Sequence, residues 1–314
     1  MKKALILFCT LTSLVFGQQN LQPDVPLIRM DVNLVLAHAT VVDKNGKAIS
    51  DLGQQAFSLF VDGVPQKITL FRKDDAPVTA GILVDNSASM APKGPEVLAA
   101  ALAFARASNP QDQMFVVHFS DQARFGLPPE VPFTGNISTL EEGLSNFKPE
   151  GTTALYDAIE MAGSQLHKAS LEKKVLLVIS DGGDNSSKTH LEEVLKLARA
   201  SGYLIYCIGI YDSTDRDRNP QVLQELADVT GGKAYFPQEL QEVTGIAVEI
   251  ARDIRKQYTL GFDGPHDGQY HRITVTAHDA RLGELDVRTR AGYLAPPPPS
   301  EHHDSRTEGN HSGE

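Results

Sequence analysis

The chain has little cysteine, no dense basic run and no long apolar stretch after its first residues. Its 314 residues include two cysteines and carry a formal net charge of −11. An acidic chain without a Lys/Arg run is a poor candidate for binding nucleic acid or an anionic membrane surface. No stretch of about 18 apolar residues follows residue 16, so the sequence predicts no membrane span in the mature chain. These absences argue against nucleic acid and the bilayer as partners.

The two cysteines have different settings. Residues 1–17 have a basic start, a short apolar core and small residues at the end, which is the layout of a cleaved secretory signal. Cys9 lies inside this predicted signal, so Cys207 is the one cysteine expected in the mature chain and no internal disulfide is predicted. Cys207 sits in the apolar run Tyr203–Ile210, which is typical of a buried structural thiol. We therefore expect an exported protein, periplasmic or secreted, that depends on its core for stability.

Two β-rich segments flank a longer segment of different character. In residues 28–75, short strand patterns are joined by turn dipeptides such as Asn45-Gly46. Residues 255–294 return to the same pattern of strands and turns. Each segment alone is too small to bury a core. We therefore predict that they form the two halves of one small β-sandwich, followed by a disordered Pro- and His-rich tail at 295–314.

The longer segment, residues 76–254, alternates between strand and helix patterns. This alternation predicts a doubly wound, mostly parallel sheet with helices on both faces, in an α/β domain inserted into the sandwich. The apolar strand Ala80–Val84 is expected at its centre, because a strand that is apolar on both faces needs cover on both sides. In such sheets, ligands bind just beyond the carboxyl ends of the strands.

Three polar loops are expected to meet at that edge of the sheet. Carboxylate and hydroxyl oxygens form a hard-oxygen shell of the kind that Mg²⁺ prefers, usually with some water retained. Each loop motif alone is typical of a turn or a helix cap, and it is their placement on neighbouring loops that predicts a metal site. The residues alone do not decide which of the two threonines is the ligand. The side chains concerned are Asp85, Ser87, Ser89, Thr152, Thr153 and Asp181.

These motifs resemble those of a known family. The pattern Asp85-x-Ser87-x-Ser89, the Thr loop before Ala154 and the sequence that begins at Ser180-Asp181 are similar to the metal-ion-dependent adhesion site of von Willebrand factor type A domains. The flanking β segments are similar to the exported proteins related to von Willebrand factor A that are common in Acidobacteria. The resemblance covers residues 28–294.

The resemblance implies a ligand set and a mode of action. The implied ligands, in loop order, are Asp85, Ser87 and Ser89, then Thr153, then Asp181 through water. The ion would be Mg²⁺, or else Mn²⁺ or Ca²⁺, with one coordination position left open. An Asp or Glu side chain of a protein partner would complete that position. The expected function is therefore metal-dependent protein binding without catalysis.

Two other hypotheses stay open on sequence alone. A metallohydrolase would use the ion to activate water and would need a nearby base, for which Asp184 is the spare carboxylate, since no His lies in the three loops. A structural envelope protein would keep the metal site as a stabilising or vestigial feature. His118 lies in an apolar strand and is expected to be a packed core residue, whereas the charged loop at 212–218 is expected to be solvated.

Overall fold

The computed structural model describes residues 34–73, 75–146, 148–211 and 217–298. In these residues, strands occur alone at both ends and alternate with helices in the middle. The strands are β1 (Leu34–Val42), β2 (Phe57–Val61), β3 (Val64–Gln66), β4 (Leu70–Arg72), β5 (Val78–Asp85), β6 (Gln113–Phe119), β7 (Ala123–Phe125), β8 (Lys173–Ser180), β9 (Leu204–Gly209), β10 (Ala234–Tyr235), β11 (Tyr258–Asp263), β12 (Tyr270–Asp279), β13 (Gly283–Arg288) and β14 (Gly292–Leu294). The helices are α1 (Gly94–Ala107), α2 (Ile137–Leu144), α3 (Leu155–His167), α4 (Leu191–Ser201), α5 (Pro220–Thr230) and α6 (Val243–Arg255).

Strand β5 lies at the centre of the α/β domain, as its apolar sequence predicts. All of its residues are buried. Its side chains alternate between two hydrophobic clusters, with Ile82 and Val84 in one and Leu83 in the other. It pairs in parallel with β6 on one side and β8 on the other. A strand buried in this way needs helical cover on both faces.

That cover is provided by two layers of helices. Helices α1, α2 and α6 pack on one face of the sheet, and α3, α4 and α5 pack on the other. In the described residues the sheet has six strands in the order β10-β9-β8-β5-β6-β7, and only β7 runs antiparallel to its neighbour. The predicted doubly wound, mostly parallel sheet is therefore confirmed. None of the helices in the described part of the chain is both long enough and apolar enough to cross a bilayer.

The β segments from the two ends of the chain form one antiparallel assembly. The strand order is β3-β2-β12-β13-β1-β11-β4, with β14 added beside β12. Strand β1 belongs to both halves of this sheet, because Leu34–Ala39 pair with β11 and Thr40–Val42 pair with β13. A strand that changes partners in this way lets a sheet turn a corner and fold over its own core. Phe57 of β2 and Tyr258 of β11 meet inside, with ring centroids 4.8 Å apart. The predicted β domain is thus present as two halves that share a strand.

One local prediction was wrong. The apolar runs of residues 57–61 and 67–71 predict two strands joined through the Asp62-Gly63 turn, but a strand that this pattern misses, β3, begins at Val64 directly after the turn. Asp62 and Gly63 have φ angles of 49° and 80°, as in the two-residue turn that reverses a hairpin at once. Val61 therefore pairs directly with Val64.

The other face of β1 packs towards the α/β domain. His38 and Thr40 on this face are buried. Gln257 bridges the two domains, because its Nε2 lies 3.1 Å from Thr40 Oγ1 and 3.1 Å from the Tyr206 hydroxyl of β9. The boundaries that we assign at residues 76 and 254 stay predictions. The predicted signal, the tail from residue 299 and most of the charged loop at 212–218 lie outside the described residues.

Candidate metal centre

Three loops meet at the carboxyl edge of the parallel sheet. The loop after β5 is bonded to the loop before α3, because Ala88 N donates to Gly151 O at 3.2 Å. The loop before α3 is bonded in turn to the loop after β8, because Asn185 N donates to Thr153 O at 3.0 Å. The three loops that the sequence predicts to be neighbours therefore contact one another.

Four of the predicted ligand residues form one polar cluster. Ser87 Oγ lies 3.1 Å from Ser89 Oγ, and Ser89 Oγ donates a hydrogen bond of 2.7 Å to Asp181 Oδ2. Asp85 joins the cluster through Oδ1, which accepts the Ser87 backbone N–H at 2.9 Å. Asp85, Ser87 and Asp181 are buried, and Ser89 is half-buried. The cluster therefore gathers two carboxylates and two hydroxyls from the first and third loops.

Neighbouring groups fix the orientation of both carboxylates. Asp85 Oδ2 accepts a hydrogen bond of 2.6 Å from Ser180 Oγ, and Asp181 Oδ1 accepts one of 2.9 Å from Gly183 N. Gly182 has a φ of 82°, and a Cβ there would lie 2.4 Å from a backbone carbonyl oxygen, so the turn requires glycine. The sequence motif includes Ser180 but does not reveal its role, which depends on two adjacent strands ending side by side.

The two candidate threonines differ in their surroundings. Thr152 is exposed, and both its N–H and its hydroxyl donate to Asp121 Oδ1, at 2.7 and 2.5 Å. Thr153 is buried, and its N–H donates to Asn185 Oδ1 at 2.8 Å. A hydroxyl engaged with Asp121 is turned away from the other two loops, which favours Thr153 as the ligand. In the described residues, however, Thr153 makes its hydrogen bonds through its backbone, so its hydroxyl is not part of the bonded cluster.

The cluster concentrates negative charge in a buried place. Burial and the nearby Asp181 carboxylate raise the pKa of Asp85 to about 6, against the hydrogen bonds from Ser180 and Ser87 that favour the charged form. Within the described ranges, neither carboxylate forms an ion pair with a Lys, Arg or His side chain. Two buried like charges without a cationic partner are unfavourable, and a bound cation would offset that cost.

The donor atoms fit a hard divalent cation. All of them are carboxylate or hydroxyl oxygens, which Mg²⁺, Mn²⁺ and Ca²⁺ prefer as ligands. Among the described residues, no three His, Cys, Asp or Glu side chains are placed to hold a metal ion. The candidate centre therefore depends on its serine and threonine hydroxyls. Because hydroxyls are neutral, two carboxylates would leave a divalent ion able to attract a further negative ligand.

Asp184, the spare carboxylate of the third loop, holds that loop against helix α3. Its Oδ2 accepts the Tyr156 N–H at 2.9 Å and the Ser187 hydroxyl at 2.6 Å. Its Oδ1 accepts the Ser187 N–H at 3.3 Å. These contacts agree with a structural role within the loop.

His118 and Cys207 are both buried, as the sequence predicts. His118 Nε2 lies 2.8 Å from Gly143 O, and its Nδ1 lies 3.3 Å from Asn86 Oδ1. Burial lowers the pKa of His118. Sequence reasoning missed the contact with Asn86, through which a core histidine supports the first loop. Burial also raises the pKa of the Cys207 thiol, as expected for an unreactive core residue.

Comparison with known proteins identifies the central domain. The model of the von Willebrand factor type A domain family matches residues 81–249, more than half of the chain. A solved von Willebrand factor type A protein from Catenulispora acidiphila is similar with a TM-score of 0.51 and 14% identity, over 84% of this chain and 74% of that chain. The von Willebrand factor domain of the type V pili tip protein Mfa5 from Porphyromonas gingivalis has a TM-score of 0.47 and 14% identity, over 57% of this chain and 95% of that chain. At these identities the likeness to solved structures concerns the fold alone.

Proposed function

Because the chain belongs to the von Willebrand factor type A domain family, we propose that it is an exported protein-binding module with a divalent-metal centre. The centre takes an Asp or Glu side chain of a partner protein. Export to the periplasm or beyond rests on the leader-like sequence of residues 1–17.

One observation carries this proposal. Asp85 and Asp181 are buried carboxylates of one cluster: Asp85 accepts the Ser87 backbone N–H, the Ser87 hydroxyl contacts that of Ser89, and the Ser89 hydroxyl donates to Asp181. Within the described residues no cationic side chain is paired with either carboxylate. Two buried carboxylates without a cation lower the stability of the folded protein. Such an arrangement is expected where a bound ligand offsets this loss of stability.

The residues of the site have separate roles in this proposal. Asp85, Ser87 and Ser89 bind the ion, Thr153 supplies a ligand from the second loop, and Asp181 acts from the third loop through water. When bound, the ion supplies an electrophilic position that a partner carboxylate completes. Mg²⁺ is the expected ion, and Mn²⁺ or Ca²⁺ are suited to the same oxygens.

Hydrolysis fits the same site less well. A metallohydrolase needs a base that is free to take a proton from water. Both oxygens of Asp184 accept hydrogen bonds from Tyr156 or Ser187, so this carboxylate serves to hold the loop. Both ring nitrogens of His118 lie within hydrogen-bonding distance of Gly143 or Asn86. Binding is therefore the function that the geometry supports best.

Isothermal titration of the full chain with MgCl₂, MnCl₂ and CaCl₂ tests the metal centre. We expect one bound ion per chain in the wild type and an affinity at least about 100-fold lower in Asp85→Asn, which keeps the shape but removes a ligand charge. Asp286→Asn is the matched control, because Asp286 is an exposed carboxylate of β13. Wild-type affinity in Asp85→Asn would refute the assignment.

Capture of partners from native envelope extract tests the mode of binding. The proposed module retains its partner in Mg²⁺ and releases it in EDTA, and Asp85→Asn captures as little as the wild type does in EDTA. A purely stabilising metal gives a different result, since the ion would raise the melting temperature while the captured proteins stayed the same.

A further inference from the structure

A basic cleft lies where the β domain meets the amino ends of the parallel strands. Its volume is about 300 Å³, at the lower limit for small-ligand sites. The start of β8 contributes Lys174, strand β1 contributes His38, and the end of α4 contributes Gly202. Arg290, which precedes β14, and Tyr293, which lies within it, also line the cleft.

Arg290 is a half-buried cation that has no anionic partner among the described residues. Its Nε is fully buried and makes no hydrogen bond to any described residue. Within the described residues, its guanidinium has no carboxylate within ion-pairing distance. It faces the ring of Tyr293, with 5.6 Å between the guanidinium carbon and the ring centroid. Burial lowers the pKa of Arg290 to about 10. Buried guanidinium groups normally pair with carboxylate or phosphate oxygens.

Tyr293 adds a second unsatisfied donor to the same cleft. Its hydroxyl is buried and has no hydrogen-bond partner among the residues that the structure describes. Buried polar groups in folded proteins are nearly always hydrogen-bonded, so two unsatisfied donors that line one cleft indicate an acceptor from outside the chain.

The charges around the cleft favour an anion. Glu172 also lines it, but its carboxylate is paired with Arg72. His38 stays neutral, because burial and the positive charges of Lys173, Arg290 and Arg72 lower its pKa to about 3. The cleft therefore keeps the positive charges of Arg290 and Lys174.

We propose that this cleft binds a small oxyanion, a carboxylate or phosphate group, through the Arg290 guanidinium, the Lys174 ammonium and the Tyr293 hydroxyl. Arg290 presents a planar set of donors that matches two oxygens of either group. Lys174 is the second residue of β8 and Asp181 follows the end of the strand, so about 23 Å of strand separates this site from the metal centre. The two sites are therefore independent in their chemistry.

Titration with sodium phosphate and with sodium acetate, against sodium chloride at equal ionic strength, tests the site in the full chain. We expect saturable 1:1 binding by calorimetry, at least about tenfold weaker in Arg290→Gln and about threefold weaker in Tyr293→Phe. Arg281→Gln is the matched control, because Arg281 is exposed in the turn between β12 and β13. The ratio of the two affinities identifies the preferred group.

Two results would overturn the proposal. One is that the wild type binds neither anion saturably, and the other is that Arg290→Gln binds as well as the wild type. If Arg290→Gln does not fold, Lys174→Gln and Tyr293→Phe take its place in the same titration.

A stability measurement separates ligand binding from a structural role of Arg290. Its Nη1 lies 3.1 Å from where a Cβ on Gly202 would stand, near the carbonyl end of α4, and a cation there can stabilise a helix. In anion-free buffer, we expect Arg290→Met to melt at or above the wild-type temperature. A fall of more than about 5 °C would show that the guanidinium serves the fold and would overturn the proposal.

Discussion

Opposite charges lie at the two ends of strand β8, buried at the carboxyl end and half-buried at the amino end. At the carboxyl end, Asp181 lies with Asp85 in a cluster of oxygens that has no cationic partner among the described residues. Near the amino end, Lys174 lines the same cleft as Arg290, whose guanidinium forms no ion pair within the described residues. Between them, Val175–Ile179 are apolar and fully buried. The middle of the strand stabilises the fold, whereas Asp85 and Asp181 at one end and Arg290 at the other form no ion pair within the described residues.

Arg288 is a half-buried charge that, unlike Arg290, is paired within the chain. Arg288 Nη2 donates to Asp253 Oδ2 at 2.5 Å, and Arg288 Nε donates to Gly231 O at 3.3 Å. Asp253 Oδ2 also accepts the Tyr206 hydroxyl at 2.7 Å. This network joins β13 of the β domain to α6 and β9 of the α/β domain. The difference teaches that charges needed for folding are paired within the chain, whereas unpaired ones indicate ligand sites.

The largest expected effect comes from comparing two arginines that are two residues apart. Arg288→Met leaves Asp253, whose side chain is 11% exposed, without its cation, so the free energy of unfolding should fall by about 3 kcal/mol. Arg290→Met should leave the free energy of unfolding unchanged in anion-free buffer. Chemical denaturation of both variants measures the difference, with the exposed Arg281→Met as the control. If both substitutions lowered the free energy of unfolding equally, the proposed difference between paired and unpaired charges would be wrong.

Acid should weaken the junction between the domains through His38. This histidine has a folded-state pKa of about 3 because of burial and the nearby Lys173, Arg290 and Arg72 charges, against about 6.5 in the unfolded chain. Its contribution to stability is fully present above pH 6.5 and is lost as the pH falls towards 3. At pH 5 the loss is about 2 kcal/mol. Chemical denaturation of the wild type and of His38→Gln at pH 7 and pH 5 measures this loss. If the free energy of unfolding fell equally in both proteins between the two pH values, His38 would not be its cause.

The smallest expected effect separates the two threonines. Thr153→Val should weaken metal binding about tenfold, because it removes a neutral oxygen ligand but no charge. Thr152→Val should leave the affinity unchanged, since the Thr152 hydroxyl donates to Asp121. Titration with MnCl₂ measures both variants. The opposite order of effects would assign the second-loop ligand to Thr152.

Much of the fold follows from local sequence pattern. Ile82, Leu83 and Val84 mark a strand that is buried on both faces, and the polar residues after Val84 mark its carboxyl end. The sequence predicts that the two β segments combine, because neither can bury a core alone. It does not predict the order of their strands, because β1 pairs with β11 and β13, which lie more than 200 residues away. The strands β3 and β14 escaped prediction because three residues carry too little periodicity.

The candidate sites were predictable to different degrees. Asp85, Ser87 and Ser89 stand together in the sequence, so their oxygens could be recognised as one group. The contacts of Ser180 with Asp85 and of Asn185 with Thr153 depend on how separate loops pack, which no local pattern reveals. Arg290 looks like an ordinary surface charge in a strand-and-turn segment. It is half-buried in a cleft that residues of α4 and β1 also line, and both elements lie far from it in the sequence.

The metal centre is tested most directly by anomalous difference density from crystals grown with Mn²⁺. A single strong peak is expected at the carboxyl edge of the sheet, about 2.0–2.4 Å from oxygens of Asp85, Ser87 and Ser89. The same crystals of Asp85→Asn should lack it. A peak held by other residues, or none at this edge at saturating Mn²⁺, would contradict the assignment of these loops as a metal-binding site.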